Sequence, residues 1–432
     1  MLQTLHLLIV DDTRGDALVT RHGRRWLLPV VCLPERVRAG PTVQQWTAAR
    51  GLSARFVGQW LGRATLDGKA IDWLAVVVLS AEHTAASTGG LERIDLASMV
   101  ASSSLFDYQQ WAVEKALSSG DRPSVPGPFG TIEWMRTIDA WLLETLDACG
   151  AGRCARIVPY RATPYEIVLE LHTPSGLLYF KGLAAGRAAE AALTMTVAAV
   201  APESFARTRA LTTELDGAVW WLMDACPGTS ASVDLTRDRV TSIARSFAQL
   251  QQRFNDTRAS GTRLELPVLD LSEMFAWAGE SIADVTPLED ACARVARRGY
   301  PTAWTWADFD PANTIVDRDA VRFIDLDDSA LGPAPIAVST FVERLRRGGL
   351  TRDDVAAVYE AYERTWPSLP PLDRRALEIV SRLVDCHLAW RRVVVKTVRG
   401  EVFGIVELAR AQLARRLADA IAAGDDGDQP VI

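Results

Sequence analysis

The chain has 432 residues and a formal net charge of −7, with 48% hydrophobic and 23% charged residues. This balance is typical of a globular protein, and the length is sufficient for two or three domains. The negative charge argues against a general nucleic-acid-binding surface. The six cysteines are scattered without a Cys-x-x-Cys pair, which favours reduced thiols over a disulfide framework or a zinc site.

Neither a secretory leader nor a membrane span is visible in the sequence. No positively charged apolar segment with a cleavage site opens the chain. No uninterrupted apolar run approaches the roughly 20 residues that a bilayer-spanning helix needs. We therefore expect a cytoplasmic protein that has no membrane partner, and the sequence leaves its oligomeric state open.

The first 120 residues predict an α/β domain. A continuous apolar strand is expected at residues 5–10, and further strands are expected at 17–20, 30–33, 54–61 and 73–79. Residues 41–52 predict a short helix, because Pro41 suits a first helical turn and Gly51 suits a C-terminal stop.

This order of elements, with Trp-Leu-Leu-Pro at 26–29 and a helix ending in Gly-Leu, resembles a Nudix hydrolase domain. In that family the helix carries carboxylates that bind a divalent metal. Alignment on Gly51 places Gln44-Gln45 at the family's Arg-Glu and Ala48-Ala49 at its Glu-Glu. A hard cation needs oxygen ligands, and alanine offers none. The resemblance therefore implies a degenerate Nudix-like fold; a generic α/β domain and an active Nudix-type pyrophosphatase are the alternatives.

The sequence predicts three domains and a linker. A helix is expected at residues 107–117, and the Pro-, Gly- and Ser-rich stretch 118–128 predicts the linker. We place the Nudix-like domain at 1–120 and the linker at 121–130. Two further domains follow at 131–222 and 223–432.

The second domain carries a lysine inside an apolar strand. A helix is expected at residues 131–149, and strands are expected at 156–158, 167–171 and 177–183. Lys181 lies within the last of these strands. A buried lysine is costly unless its charge is paired, and Glu190 on the following helix has a suitable spacing. A lysine on a solvated strand face is the alternative.

The third domain contains an acidic hairpin. Residues 304–316 and 321–328 predict a loop with an acid, a short strand, a turn and a second strand that ends in acids. Asp308 and Asn313 are spaced to face one pocket from the same loop, and Asp325 reaches it from the end of the second strand. An acid that orients a hydroxyl, with an amide and a carboxylate that hold Mg²⁺, meets the needs of phosphoryl transfer from ATP. The alternative is an acidic surface hairpin, but the apolar flanking strands argue against it.

Residues 131–422 resemble the aminoglycoside phosphotransferase family, a branch of the protein-kinase-like fold. The family pattern is His-Gly-Asp, four residues, Asn, then a strand ending in Ile-Asp. The resemblance implies that Asp308 is the catalytic acid and that Asn313 and Asp325 bind Mg²⁺. It also makes Asp327 a further metal or acceptor contact.

The resemblance extends to the nucleotide site. It implies that Lys181 holds the ATP phosphates and that Glu190 holds the lysine. The strand at residues 219–225 corresponds to the family's hinge, so the backbone of Met223, Asp224 and Ala225 is implied to contact the adenine.

Four features depart from the family pattern. Trp306 replaces the His, Ala307 replaces the Gly, and Ala337 replaces a downstream Asp that braces the catalytic loop together with the His. The turn at residues 160–165, which corresponds to the nucleotide-covering loop, contains no glycine.

We therefore expect an α+β protein with a bilobal protein-kinase-like fold, preceded by an α/β Nudix-like domain. The expected function is ATP- and Mg²⁺-dependent O-phosphotransfer to a hydroxyl of a small molecule, with no nucleic-acid partner. The alternative is a pseudokinase, or a module that binds a nucleotide or metabolite without transfer. The acceptor stays open. Acids on a helix expected at 353–366 would suit a cationic acceptor, or they form a solvated face.

Overall fold

The computed structural model describes residues 2–11, 14–22, 25–33, 39–64, 70–79, 90–101, 129, 132–163, 166–214, 217–261, 266–282, 284–396 and 405–422. The helix expected at 107–117 and the linker expected at 121–130 lie outside these residues, apart from Phe129. The chain divides into two compact units. The first unit is Met1–Ala188, Thr208–Ala225 and Val395–Ile405, and the second is Ala189–Arg207, Cys226–Val394 and Val406–Ile432.

The N-terminal part of the first unit is a seven-stranded sheet with the order β3-β2-β1-β6-β5, in which β4 pairs with β1 and β7 pairs with β2. β1 and β6 run parallel, and the other pairs are antiparallel. The strands are β1 (Leu2–Asp11), β2 (Asp16–His22), β3 (Arg25–Leu27), β4 (Val30–Leu33), β5 (Ala54–Ala64), β6 (Ala70–Leu79) and β7 (Glu92–Asp95). The helices are α1 (Ala39–Ala48) and α2 (Leu96–Ala101). The strands and helix predicted here are confirmed, while the Nudix-like assignment stays a prediction.

The rest of the first unit is an antiparallel five-stranded sheet with the order β11-β12-β10-β9-β8. Helix α3 (Ile132–Ala148) precedes it in the chain. The strands are β8 (Arg156–Thr163), β9 (Glu166–Thr173), β10 (Gly176–Leu183), β11 (Thr208–Thr213) and β12 (Val219–Asp224). The helix and four of the strands match the sequence predictions, and β11 was not predicted. β8 extends to Thr163, so residues 160–163, which the sequence placed in the nucleotide-covering turn, are strand.

The two sheets of the first unit share one hydrophobic core. The N-terminal sheet contributes Leu5, Leu7, Phe56 and Val77, and the five-stranded sheet contributes Leu169, Phe180 and Leu222. Helix α1 approaches β8 so closely that a Cβ atom on Gly40 would lie 2.2 Å from the carbonyl oxygen of Pro159. The N-terminal sheet is therefore packed against the strand that leads to the predicted nucleotide-covering turn.

The second unit is mainly helical. Its helices are α4 (Ala189–Ala198), α5 (Arg237–Ala259), α6 (Leu271–Gly279), α7 (Thr286–Arg298), α8 (Pro335–Arg347), α9 (Arg352–Thr365), α10 (Arg374–Lys396) and α11 (Ile405–Ala422). Its strands are β13 (Thr229–Ser230), β14 (Thr302–Trp306), β15 (Thr314–Asp317), β16 (Ala320–Phe323) and β17 (Ser329–Pro333). The α+β class is confirmed. Among the described helices, none is both long and apolar enough to cross a membrane.

Strands β13 and β17 and helix α7 of this unit were not predicted from the sequence. Strand β17 contains Gly332 and Pro333, which normally mark loops, but Pro333 is the last residue of the strand, so its missing N–H interrupts no interior pair with β14. Helix α7 has Pro287 in its first turn and ends at Gly299, whose φ of 65° suits a helix C-terminus.

Candidate active site

The loop after β14 is anchored by an aromatic side chain. Phe309 is fully buried, and its ring lies 4.3 Å from each of Phe247 and Phe341 between centroids. The backbone N–H of Ala307 donates to the carbonyl oxygen of Asp328 at 3.1 Å. These contacts fix the backbone on both sides of Asp308, whose side chain keeps 19% of its surface exposed. The sequence places a polar reactive group between two buried neighbours.

The same loop brings Asn313 to Asp308. Asp310 accepts a hydrogen bond from the N–H of Ala312 at 2.8 Å and so caps the short 3₁₀ turn Pro311–Asn313. This turn directs the Asn313 amide back along the loop. Its Nδ2 donates to the carbonyl oxygen of Asp308 at 3.1 Å and to Oδ2 of the same residue at 3.2 Å. The two residues that the sequence predicted to share a pocket are therefore in contact.

Asp325 follows β16 in a left-handed backbone conformation. The N–H of Ile324 donates to the carbonyl oxygen of Asn313 at 3.0 Å, which joins the end of the hairpin to the loop. Asp325 has φ of 64°, an uncommon value for a residue with a Cβ, and the next residue, Leu326, is fully buried. Such strained residues concentrate at functional sites, where the surrounding packing holds them.

The carboxylates of the second unit form two overlapping groups with the spacing of metal ligands. In the first, oxygens of Glu190, Asp325 and Asp327 lie within 4.8 Å of one another. In the second, Asp308, Asp327 and Asp328 meet the same criterion. Carboxylates this close repel one another, and a hard divalent cation relieves the repulsion. Asp327 belongs to both groups, and Glu190 is a buried residue of α4.

Arg344 is a member of this site that the sequence did not single out. It projects from α8, and its guanidinium contacts Asp308 through Nη2 at 3.5 Å and Asp310 through Nε at 3.5 Å. Helix α8 was predicted from the sequence. Its last turn contains three arginines, and the sequence does not show that Arg344 is the one that contacts the Asp308 loop.

On the nucleotide side, the first unit places Lys181 in a buried position on β10. Its Nζ lies 3.5 Å from Oε1 of Glu166, a buried residue that opens β9 and was not predicted as a partner. Glu190 belongs to the second unit, so the Lys181–Glu190 pair stays a prediction. The only sequence signal for Glu166 was its position at the start of an apolar strand.

The predicted hinge residues lie at the end of β12. The N–H of Ala225 donates to the carbonyl oxygen of Leu177 at 3.2 Å, and Oδ1 of Asp224 accepts from Nε of Arg209 at 2.6 Å. Met223 pairs with Tyr179 across the sheet. Their contact with an adenine stays a prediction.

Residues 178–372 match the model of the phosphotransferase enzyme family. This confirms the family resemblance for that segment and with it the protein-kinase-like fold. No curated protein matches the chain.

Solved structures similar to the chain include three kinases of low sequence identity. A putative aminoglycoside phosphotransferase from Ralstonia eutropha has 12% identity and a TM-score of 0.48, covering 68% of this chain and 99% of its own. A choline kinase from Streptococcus pneumoniae has 13% identity and a TM-score of 0.49, covering 66% and 98%. An amicoumacin kinase solved with AMP-PNP and Ca²⁺ has 10% identity and a TM-score of 0.47, covering 68% and 97%.

The position of the phosphotransferase family's histidine is filled by an apolar stack. Trp306 is fully buried and lies nearly parallel to Trp304 and Phe309, at centroid distances of 6.2 and 5.3 Å. Within the described part of the chain, its indole Nε1 has no hydrogen-bond partner. Ala337, at the place of the family's bracing Asp, belongs to the same buried cluster. Packing therefore replaces the polar brace.

Proposed function

We propose that the protein is an ATP- and Mg²⁺-dependent O-phosphotransferase that acts on a hydroxyl of a small molecule. The observation that carries this proposal is the contact between Asp308 and Asn313, with Asp325 and Asp327 arranged as metal ligands close by. A positioned acid beside an amide and carboxylates that hold Mg²⁺ is the set that phosphoryl transfer uses.

Each residue has a distinct role in this proposal. Asp308 orients the acceptor hydroxyl and receives its proton as the hydroxyl oxygen bonds to the γ-phosphorus. The bond from that phosphorus to the β,γ-bridging oxygen breaks, and ADP leaves. Asn313, Asp325 and Asp327 would hold Mg²⁺, which neutralises charge on the phosphates when it is bound. The hydrogen bonds from Asn313 Nδ2 keep the Asp308 carboxylate in one orientation.

The nucleotide is proposed to bind through the first unit. Lys181 holds the phosphates, while the backbone of Met223, Asp224 and Ala225 lies against the adenine. Glu190 either orients Lys181, as in the family, or completes the metal group that it forms with Asp325 and Asp327.

A second candidate function is nucleotide or metabolite binding without transfer. It is favoured by the apolar residues Trp306 and Ala337 at the two bracing positions and by the glycine-free nucleotide turn. The two candidates differ in whether phosphate reaches an acceptor.

The test is acceptor-stimulated ADP release by the purified full chain, with mass spectrometry of the product. We expect one member of a panel of hydroxylated small molecules to be phosphorylated when ATP and Mg²⁺ are present. Asp308→Asn should lower turnover by about 10²-fold or more and still bind MgATP, because the metal ligands remain. Asp325→Asn should weaken MgATP binding, since a charged ligand becomes neutral.

Asp319→Asn is the matched control, because Asp319 is an exposed residue at the turn of the same hairpin. It should leave turnover and MgATP binding unchanged. Transfer at the unmodified rate by Asp308→Asn would overturn the assignment of the base. MgATP binding without transfer to any acceptor would favour the binding module.

A further inference from the structure

Glu166 is a buried carboxylate surrounded by positive charge. Only 2% of its side chain is exposed, and it is contacted by Arg161 at 3.0 Å, by Lys181 at 3.5 Å and by Arg187 through Nη1. We call these four side chains the Glu166 cluster. Three positive groups and one negative group give it a net charge of +2, in a chain whose formal net charge is −7.

Strand register explains how the cluster forms. Val168 on β9 has Arg161 as its neighbour on β8 and Lys181 as its neighbour on β10. Cross-strand neighbours lie on the same face of a sheet, as do residues two apart on one strand. Arg161 and Lys181 therefore flank β9 from both sides and converge on Glu166. Arg187 joins them from the short 3₁₀ turn Ala185–Arg187 that follows β10.

The two arginines are close to the predicted nucleotide-covering turn. Arg161 belongs to the segment predicted as that turn, in a part that forms the end of β8. It keeps 26% of its side chain exposed, and Arg187 keeps 16%. The turn contains no glycine, so its backbone is less free to wrap a phosphate. Guanidinium groups bind phosphate oxygens with two parallel hydrogen bonds, and they do so best where solvent is restricted.

We propose that the Glu166 cluster is the site for the polyphosphate of the nucleotide, with Arg161 and Arg187 contacting phosphate oxygens beside Lys181. Glu166 is a positioning residue that holds the three cations on one face of the sheet. The ligand is thus a nucleoside triphosphate bound mainly through side-chain charge. This inference rests on the proposed function and adds Arg161, Arg187 and Glu166 to its residues.

The test measures the affinity of the full chain for MgATP, for inorganic tripolyphosphate and for adenosine by calorimetry. Arg161→Gln and Arg187→Gln should each weaken the binding of MgATP and of tripolyphosphate about tenfold or more, which is the range for a lost charge-assisted hydrogen bond. Adenosine affinity should not change, because adenosine has no phosphate. Arg187→Lys should bind MgATP and tripolyphosphate more tightly than Arg187→Gln but less tightly than the unmodified protein. Lysine keeps the positive charge but lacks the two parallel N–H donors of the guanidinium.

Arg156→Gln is the matched control, because Arg156 is an exposed arginine on the same strand as Arg161. It should bind all three ligands like the unmodified protein. If both cluster variants lower the melting temperature but bind MgATP normally, the cluster is only a structural ion-pair group and the inference fails, while the proposed function stands. If the unmodified protein binds neither MgATP nor tripolyphosphate, both fail.

Discussion

The Nη2 atom of Arg344 lies 3.5 Å from Oδ1 of Asp308, so a cation from α8 contacts the proposed catalytic acid directly. The same guanidinium contacts Asp310 at 3.5 Å and Asp385 at 2.5 Å. Arg344 thereby joins two acids of the loop to a third acid on α10. Since Asn313 also donates to Asp308, the carboxylate is held from two sides. The side chains of Asp308 and Arg344 are each 19% exposed, which limits solvent screening of their attraction.

Arg344→Gln should lower the turnover number by about tenfold, because the Asp308 carboxylate loses one of the groups that fix its orientation. The affinity for MgATP should stay within about twofold, since the metal ligands are untouched. Steady-state kinetics and calorimetry measure the two quantities. Arg347→Gln is the control: Arg347 lies on the same helix and contacts Glu343 and Asp385. Equal loss in both variants would mean that α8 as a whole, and not the Asp308 contact, is responsible.

Local spacing allowed the contact between Asp308 and Asn313 to be predicted, because the geometry of their loop is set within a few residues. Asp308 and Asn313 are joined by a turn that Asp310 caps, and Asp325 follows a short hairpin. Alternation of apolar residues and turn chemistry specify such segments without reference to the rest of the fold.

Glu166 and Arg344 could not be predicted because their partners are set by tertiary packing. Glu166 meets Arg161 and Lys181 through the register of three strands, and the sequence contains no signal that fixes this register. Arg344, in the last turn of α8, meets Asp308 only through the packing of that helix beside the loop, and α8 follows β17, which pairs with β14. Strand β17 was itself missed.

Gln251 links β14, the strand before the loop that carries Asp308, to the start of α8. It is fully buried on α5, and its Nε2 donates to the carbonyl oxygens of Trp304 at 2.6 Å and Ala334 at 3.0 Å. Its Oε1 accepts from the hydroxyl of Tyr362 at 2.6 Å. These contacts connect segments next to Trp306 and Ala337, where the family's polar brace is missing.

Gln251→Leu should lower the free energy of unfolding by about 3 kcal/mol, because two carbonyl groups and a hydroxyl lose a buried partner. Urea denaturation measures the change. Gln252→Leu is the control, since Gln252 is only half-buried and makes one hydrogen bond, to Thr365; it should cost less than half as much. Tyr362→Phe should lower the free energy of unfolding less in the Gln251→Leu variant than in the unmodified protein, because its hydrogen-bond partner is already gone. Additive losses would contradict the network.

Trp306→His should destabilise the protein and should not raise its activity. The smaller ring leaves a cavity in the stack with Trp304 and Phe309, and its nitrogens lie within the buried apolar cluster that also contains Ala337. We expect a loss of about 3 kcal/mol in the free energy of unfolding. Trp306→Phe keeps an apolar ring and should lose less. A higher turnover number for Trp306→His would show that a polar brace still fits the site.

The stability of the protein should depend on the protonation of His387. This histidine of α10 is buried beside Trp277 and Trp390, and burial lowers its pKa from the usual value, while Glu273, 3.8 Å from its Nε2, acts in the opposite direction. Arg391 also lowers this pKa. The unfolded chain therefore binds a proton first as the pH falls. The contribution of the neutral ring is complete above the unfolded pKa of about 6.5 and is lost as the pH falls below it.

His387→Leu should therefore reduce the loss of stability between pH 7.5 and pH 5.5. Denaturant unfolding measures the free energy of unfolding at each pH. The change between pH 7.5 and pH 5.5 is then compared between the variant and the unmodified protein. Glu273→Gln should steepen the loss, because it removes the charge that favours the protonated ring. If the stability of His387→Leu and of the unmodified protein changed identically with pH, protonation of His387 would not contribute to the acid destabilisation.

Substitution of Gly40 tests whether the N-terminal sheet supports β8, the strand that carries Arg161. Pro159, whose carbonyl oxygen lies where a Cβ of residue 40 would be, is on β8 at the point where the register with β9 shifts before Arg161. The obstructing atom belongs to the backbone, so the clash is relieved only if α1 and β8 move apart. Because Arg161 follows two residues later, that movement also disturbs the Glu166 cluster.

Gly40→Ala should lower the free energy of unfolding by about 1–3 kcal/mol and weaken MgATP binding. Gly279→Ala is the matched control, because Gly279 also lies in a helix and a Cβ there would have no atom within 4 Å. That substitution should stabilise the protein by about 0.4–1 kcal/mol through the lower entropy of the unfolded chain. Urea denaturation and MgATP calorimetry on both variants separate the effects. If Gly40→Ala gains stability as Gly279→Ala does, α1 is not packed against β8, and the N-terminal sheet has no part in positioning Arg161.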